Sequence, residues 1–311
     1  MTTPIYSIVL PTLNGAGTLP ALLAALSSQR TAEPIEVIAV DSGSADGTVD
    51  LLERWGADTI RIRPEQFDHG LSRNLAAARA RGTFLVFLVQ DALPVDRHFL
   101  DALAAPFATQ PRLAGTFAHQ QPRANATRLA RDSVQRWVAA FNQGGTTSFP
   151  GGLAEFEALA PLERLRRCVL DNVASCIRRS AWEAHPFKAT PIAEDLEWAK
   201  DILLHGYSIQ FVPEAVVLHS HDRSASYEYA RTRALHARLV DLFGLQTIPT
   251  LPHLGRAIAL SAARHLRCEA RDPRQWPRAL ALAVAWPLGQ YVGARHGRAG
   301  RPRLRLKPGL V

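Results

Sequence analysis

The sequence predicts an α/β fold in which a mostly parallel sheet is flanked by helices and followed by a helical, basic C-terminal extension. Three observations carry this. Apolar runs short enough for strands alternate with helix-like segments through the first half, and the runs are continuous rather than alternating, as in sheets covered on both faces. Polar residues collect where the runs end, which is where ligands bind in such sheets.

The first run, Ser7-Ile8-Val9-Leu10, stops at Pro11 and is followed by a helical stretch over 19–28. A second run over 35–40 ends at Asp41-Ser42-Gly43-Ser44, after which Asp46 or Thr48 is placed to cap a helix reaching Trp55. A strand over 59–62, a helix over 71–81 and a strand over 83–89 complete the regular part. Asn14, Asp41 and Gln90-Asp91 stand at the ends of the first, second and fourth strands. The middle reads as a helix over 128–141, a turn-rich and mobile loop over 142–152, a strand over 174–177, a helix over 194–204 and a strand over 209–218. Beyond His221 the pattern is helical and basic to about 298, and the Arg/Pro/Gly-rich tail over 299–311 reads as disordered.

Composition narrows the class. The chain has 311 residues, 47% hydrophobic and 21% charged, which excludes a disordered or fibrous protein and allows one large domain or two small ones. Cys168, Cys176 and Cys268 are too few and too scattered for a disulfide framework and read as free thiols in a reducing compartment. A net charge of +8, carried almost wholly by arginine, points to an acidic partner: nucleic acid, anionic lipid or a phosphorylated substrate. With no aromatic-interleaved basic strand and no recognition helix, nucleic acid is not expected. Neither a secretory leader nor 18 consecutive apolar residues is visible, so the expectation is a cytoplasmic protein, soluble or peripheral.

The candidate chemistry lies in four motifs, each with a structural alternative. Asp41-Ser42-Gly43-Ser44-Ala45-Asp46-Gly47-Thr48 offers acceptors for the hydroxyls and amides of a nucleoside, or is a capped βα turn. Asp68-His69-Gly70 with Arg73-Asn74 offers close backbone approach and a diphosphate partner, or is a capped helix with a surface arginine. Asp91 suits a hard divalent cation, with His219 or His221 adding an imidazole. Glu194-Asp195 opens a helix, where the dipole favours acids; a carboxylate there can also take a proton from a nucleophilic hydroxyl.

In combination, Ile8-Val9-Leu10-Pro11-Thr12-Leu13-Asn14, the Asp41–Thr48 segment, Asp91 and Glu194-Asp195 resemble family 2 glycosyltransferases of GT-A fold over roughly residues 5–221. Phe67-Asp68-His69-Gly70-Leu71-Ser72-Arg73-Asn74, Val89-Gln90-Asp91-Ala92-Leu93-Pro94, Asn172-Val173-Ala174-Ser175-Cys176-Ile177-Arg178-Arg179 and Leu218-His219-Ser220-His221 are similar to the rhamnosyltransferase-like branch. The resemblance implies a catalytic domain over 1–225, with 1–118 binding a nucleotide-sugar and 119–225 facing the acceptor, ahead of the helical region 226–298. It assigns Pro11, Asn14, Asp41, Ser42, Gly70, Arg73, Asn74 and Gln90 to the nucleotide-sugar, Asp91 and His219 (ahead of His221) to a Mg²⁺ or Mn²⁺ ion, and Asp195 to the catalytic base.

The implied reaction is an inverting displacement, most readily of rhamnose from dTDP-rhamnose, onto a glycan or lipid-linked acceptor in cell-surface polysaccharide synthesis, with no second carboxylate evident near Asp195. The alternatives are another UDP- or GDP-sugar donor, a nucleotidyltransferase, whose basic glycine-rich loop is missing at Pro11–Gly17, or a non-catalytic nucleotide-binding module. Two departures from the family pattern stand out: Val89 occupies the first acidic position of the Asp-x-Asp metal motif, and Ala118-His119-Gln120 replaces the branch's usual Gly-Arg-Gln. In the C-terminal region, residues 279–294 are apolar but broken by Pro287 and flanked by arginines, which fits an interfacial helix on an anionic membrane face or a hairpin packed on the catalytic domain.

Overall fold

Along the central strands, Ile8, Leu10, Val37, Ala39, Val86 and Leu88 enter one apolar cluster, while Val9, Ile38, Val40, Leu85 and Phe87 enter another. Successive strand residues point to opposite faces, so continuous apolar runs mean that both faces are buried. The computed structural model describes residues 5–32, 34–141 and 144–298; the tail expected to be disordered, 299–311, lies outside the described residues.

The parallel half consists of β1 (Tyr6–Thr12), α1 (Leu19–Ser27), β2 (Glu36–Asp41), α2 (Thr48–Trp55), β3 (Asp58–Arg61), α3 (His69–Ala77) and β4 (Phe84–Leu88), with strand order β3-β2-β1-β4. It matches the expected elements closely. The chain continues through β5 (Leu93–Pro94), α4 (Phe99–Ala104), β6 (Leu113–Gln121), α5 (Arg128–Phe141), β7 (Gly145–Thr147), α6 (Gly152–Ala158), α7 (Pro161–Arg167), β8 (Ala174–Arg178), α8 (Arg179–Ala184), α9 (Glu194–Leu204) and β9 (Ser208–Leu218). Here the sheet is mixed. β8 runs antiparallel between β4 and β6, β9 runs parallel to β6, and β5 and β7 add antiparallel to β9. The turn-rich stretch over 142–152 thus contains a strand, β7, paired with β9.

The reversal of β8 matters for the site. Leu88 pairs with Ala174, so the amino end of β8 lies at the edge where β4 ends. Asp171 and Asn172, just before β8, therefore join the residues that follow β1, β2, β4, β6 and β9 at one edge.

Three helices follow: α10 (Ala225–Phe243), α11 (Leu251–Cys268) and α12 (Trp276–Arg298). Ser224 and Thr250 cap α10 and α11 through their hydroxyls, and Gly244 ends α10 with φ of 69°. α12 lies along α10 at glycine spacing: a Cβ on Gly293 would come within 2.3 Å of the Arg233 carbonyl oxygen. Arg238 of α10 is buried against Glu197 of α9 at 2.8 Å, which docks the helices on the sheet domain. Within the apolar stretch 279–294, Ala279, Leu282, Ala283, Ala285, Tyr291 and Ala294 are buried, so most of it serves packing. Among the described residues no helix is long and apolar enough to cross a membrane.

Candidate active site

A cavity of about 590 Å³ opens at the carboxyl edge of the sheet and is closed on its far side by α5, α10 and α12. It is lined by Pro11, Ser42, Arg73, Gln90, Asp91, Asp195, His219 and His221. The sequence-predicted residues Asn14, Asp41, Gly70 and Asn74 are not among its lining residues but hold the loops beside it. Asp41 Oδ1 accepts from the Gly43 and Ser44 amides, and Oδ2 accepts from the hydroxyls of Thr12 and Ser44. Asn14, at φ of 48°, takes the Ala45 amide on its side-chain oxygen, tying the loop after β1 to the loop after β2. Gln90 clasps the same first loop, accepting from Leu13 N at 2.9 Å and donating to Leu13 O at 3.0 Å.

Gly70 and Asn74 hold the segment leading into α9. A Cβ on Gly70 would lie 2.1 Å from the Lys188 carbonyl oxygen, so only glycine admits this approach. Asn74 donates to Phe187 O at 2.8 Å and accepts from the Trp182 indole at 2.9 Å. Asp68 caps α3 and reaches across to the Thr190 amide. The chain then passes through Ala193 in left-handed backbone, φ 63°, a rare state for a residue with a Cβ. That turn sets Glu194 and Asp195 on the first turn of α9, facing the cavity.

The two acids diverge. Glu194 is buried against Arg73 at 3.2 Å, with His69 at 3.8 Å and the Asn172 amide at 3.1 Å. Burial raises its pKa, but the Arg73 charge, with the neighbouring His69 and the Asn172 hydrogen bond, outweighs that and holds the carboxyl below its ordinary value. Among the described residues Asp195 accepts only backbone amides, from Asn172 at 3.2 Å and Leu196 at 2.8 Å. Burial, followed by the charges of Glu194 and Asp171, holds it well above the ordinary carboxylate range. No second carboxylate is expected near Asp195 from the sequence, but the structure puts both Glu194 and Asp171 beside it. Each is committed elsewhere: Glu194 to Arg73, and Asp171 to Gln120 at 2.5 Å and Trp137 at 3.2 Å.

Asp91, His219 and His221 form the third feature, with ligand atoms all within 4.8 Å of one another. Asp91 Oδ1 lies 3.7 Å from His219 Nε2, and Oδ2 lies 3.3 Å from His221 Nδ1. Both histidines, rather than one of the two, converge on the carboxylate. Behind His219, Asp171 takes the Gln120 amide, which turns the Gln120 oxygen to His219 Nδ1 at 2.9 Å. The proton then sits on Nδ1, and the Nε2 lone pair faces Asp91. Burial, aided by His221, pushes the His219 pKa down to about 3, so the ring is neutral and able to ligate. One carboxylate and two neutral imidazoles fit a divalent cation, and the imidazoles suit a transition ion such as Mn²⁺ better than Mg²⁺. Val89, at the position of the missing acid, lines the cavity, and His221 offers the further donor.

A second cluster, His185, Asp201 and His205, satisfies itself. Lys188 binds Asp201 at 3.1 Å, and His205 Nδ1 donates to the Asp201 carbonyl one helical turn back at 2.8 Å.

Asp171 and Gln120, together with Arg231 and Trp137 on the cavity wall, were not singled out as site residues from sequence. Gln120 had a signal, since it stands in the segment that departs from the branch pattern. Asp171 had none, because its place depends on the reversed direction of β8.

The fold is that of the GT-A glycosyltransferases: a mannosyltransferase of Pyrobaculum calidifontis, solved with GDP-Man and Mn²⁺, superposes with a TM-score of 0.53 at 20% identity, over 97% of this chain and 76% of that one. In sequence, residues 7–153 match the glycosyl transferase family 2 model. The O-antigen chain rhamnosyltransferase RfbN of Salmonella typhimurium is 30% identical over 239 residues, 74% of this chain and 72% of the relative. The O-antigen chain rhamnosyltransferase WbaN of Salmonella anatum is 30% identical over 242 residues, 75% of this chain and 73% of the relative. The chain belongs to glycosyltransferase family 2.

Proposed function

We propose that the protein transfers a sugar from a nucleotide-diphospho-sugar to a hydroxyl of a glycan or lipid-linked acceptor with inversion, in cell-surface polysaccharide synthesis. Rhamnose from dTDP-rhamnose is the first donor to test, given the two rhamnosyltransferase relatives. The observation that carries this reading is the convergence on one cavity of an unpaired carboxyl, Asp195, and the Asp91–His219–His221 donor set.

Asp195 accepts the proton of the acceptor hydroxyl. The acceptor oxygen bonds to the anomeric carbon as the bond from that carbon to the diphosphate oxygen breaks, and the electron pair leaves with the nucleoside diphosphate. A base held above the usual carboxylate range matches this work better than an ordinary one. Glu194, locked to Arg73, keeps the α9 turn in place, and Asp171 keeps Gln120 and His219 in register. Neither is free to attack the anomeric carbon, which supports single displacement. A divalent cation held by Asp91, His219 and His221 supplies charge stabilisation to the diphosphate when bound.

The outer face of α11 and α12, which exposes Leu251, Leu260, Trp276, Leu280 and Val284 among arginines, supports docking on an anionic membrane surface. The test of function is a transfer assay over dTDP-rhamnose and common UDP- and GDP-sugars with Mn²⁺, with the product anomer read by NMR. Absence of binding to every nucleotide-sugar, or a retained anomer, would overturn the reading.

A further inference from the structure

Four arginines line the cavity: Arg73, Arg223, Arg231 and Arg278. Two are neutralised. Arg73 is buried on Glu194 at 3.2 Å, and Arg278 pairs with Asp222 at 2.9 Å. Arg223 stacks over the Tyr227 ring at 5.1 Å, and its carbonyl accepts from Arg278. Arg231, one helical turn after Tyr227 on α10, lines the cavity and, like Arg223, has no carboxylate within ion-pair distance among the described residues; it differs from Arg223 in being exposed and in stacking on no ring there. Its neighbour Glu228 is engaged with the Trp286 indole at 2.9 Å. Arg231 lines the same cavity as Asp91, Asp195, His219 and His221.

A nucleoside diphosphate bound to one divalent cation still carries net negative charge, and Arg73, the cation expected from sequence, is already spent on Glu194. We propose that Arg231 is the guanidinium that binds the donor diphosphate, so that α10, beyond the family-matched residues 7–153, completes the donor site. This rests on the reading of the cavity as a donor site. A planar guanidinium fits phosphate oxygens bidentately, and a preformed, unpaired one needs no ion pair broken on binding.

The test is titration calorimetry of the full chain with Mn²⁺, using dTDP, UDP and GDP, their monophosphates and their nucleosides. For the base that the wild type binds, Arg231→Gln is expected to lose about 10- to 100-fold in affinity for the diphosphate, the worth of a charge-assisted hydrogen bond. The nucleoside should be bound as by wild type, and Arg231→Lys should recover part of the loss. Because Arg231 is exposed, an unchanged melting temperature is expected and separates this from misfolding. Wild-type diphosphate affinity in Arg231→Gln overturns the proposal, as does an equal loss for nucleoside and diphosphate, or a loss confined to Arg223→Gln. If the wild type binds none of these nucleotides, the donor-site reading itself fails, an outcome distinct from the others.

Discussion

Glu194 meets Arg73 at 3.2 Å in a buried pair, and that pair is what sets it apart from the next residue, Asp195. Both acids occupy the first turn of α9, where the helix dipole favours negative charge equally. Among the described residues, only Glu194 of the two has a paired cation, Arg73, to offset its burial. The chain thus holds, in adjacent positions, one carboxyl that is ionised and structural and one that is poised to take a proton.

The two isosteric variants should therefore behave in opposite ways. Glu194→Gln leaves Arg73 buried without its counter-charge, a change that costs about 3–5 kcal/mol in comparable sites, so the melting temperature should fall sharply. Asp195→Asn removes a charge that the native state penalises, so stability at neutral pH should hold or rise while turnover falls about 10²–10⁴-fold. Thermal unfolding and a transfer assay on both variants check this. A well-folded but inactive Glu194→Gln beside an active Asp195→Asn would reverse the assignment.

The pH dependence follows with its sign. The Asp195 carboxyl is raised in the folded state above its ordinary 3.8, so between those two values the native state binds more protons than the unfolded chain. Stability contributed by this group is present below 3.8 and is lost as pH rises through the folded pKa. Activity runs the other way, since the base must be ionised, and should climb over the same window. Subtracting the denaturation profile of Asp195→Asn from that of the wild type isolates the effect from Glu194, whose lowered pKa contributes stability above its unfolded value. A flat difference profile would remove the raised Asp195 from the account.

Gln120 provides a test of the cation site that does not touch a ligand atom. It fixes the His219 proton on Nδ1 through the 2.9 Å contact and is itself fixed by Asp171. Gln120→Leu should weaken Mn²⁺ binding about 10- to 100-fold, as loss of such supporting partners does elsewhere. Asp91→Asn should abolish Mn²⁺ binding, and His219→Ala and His221→Ala should each weaken it, followed by the free-Mn²⁺ paramagnetic resonance signal. Chelation should silence transfer, with Mn²⁺ restoring it more effectively than Mg²⁺. Full turnover in EDTA would leave the arginines as the whole counter-charge.

What the sequence made legible follows from locality. The parallel half announced itself because each strand, turn and helix there is specified by neighbours in the chain, and Asp91 and Asp195 stand at strand and helix ends that a local pattern reveals. The antiparallel reversal of β8 is set by pairing with β4 and β6 far away, so Asp171 went unread. The commitment of Arg73 to Glu194 spans the sheet domain and could not be seen from spacing. Asn14, Asp41, Gly70 and Asn74 were legible as important positions, and each also makes loop contacts that spacing does not reveal. Arg231 sits in a long helix where any exposed arginine reads as a solvated surface charge.

The C-terminal helices yield the last prediction. α12 turns Leu282, Trp286 and Gln290 to the cavity, while Trp276, Leu280 and Val284 are exposed on it and Leu251 and Leu260 on α11. Neither α11 nor α12 contains an acidic residue, and Arg256, Arg267, Arg271 and Arg274 are exposed beside the apolar residues. Truncation would strip α10 of its partner, because Gly289 and Gly293 bring the two backbones into contact. Point changes on the exposed face avoid that. The full chain should float with vesicles containing anionic lipid and not with neutral ones, each arginine adding about 1 kcal/mol of salt-screened attraction. Leu260→Asp with Trp276→Asp should reduce flotation without lowering the melting temperature, since both side chains are more than 40% exposed, at 61% and 42%. Flotation equal to wild type in the double variant would free this face from the membrane role, and a wild-type dimer in solution scattering that the double variant does not form would make it a contact between two copies of the chain.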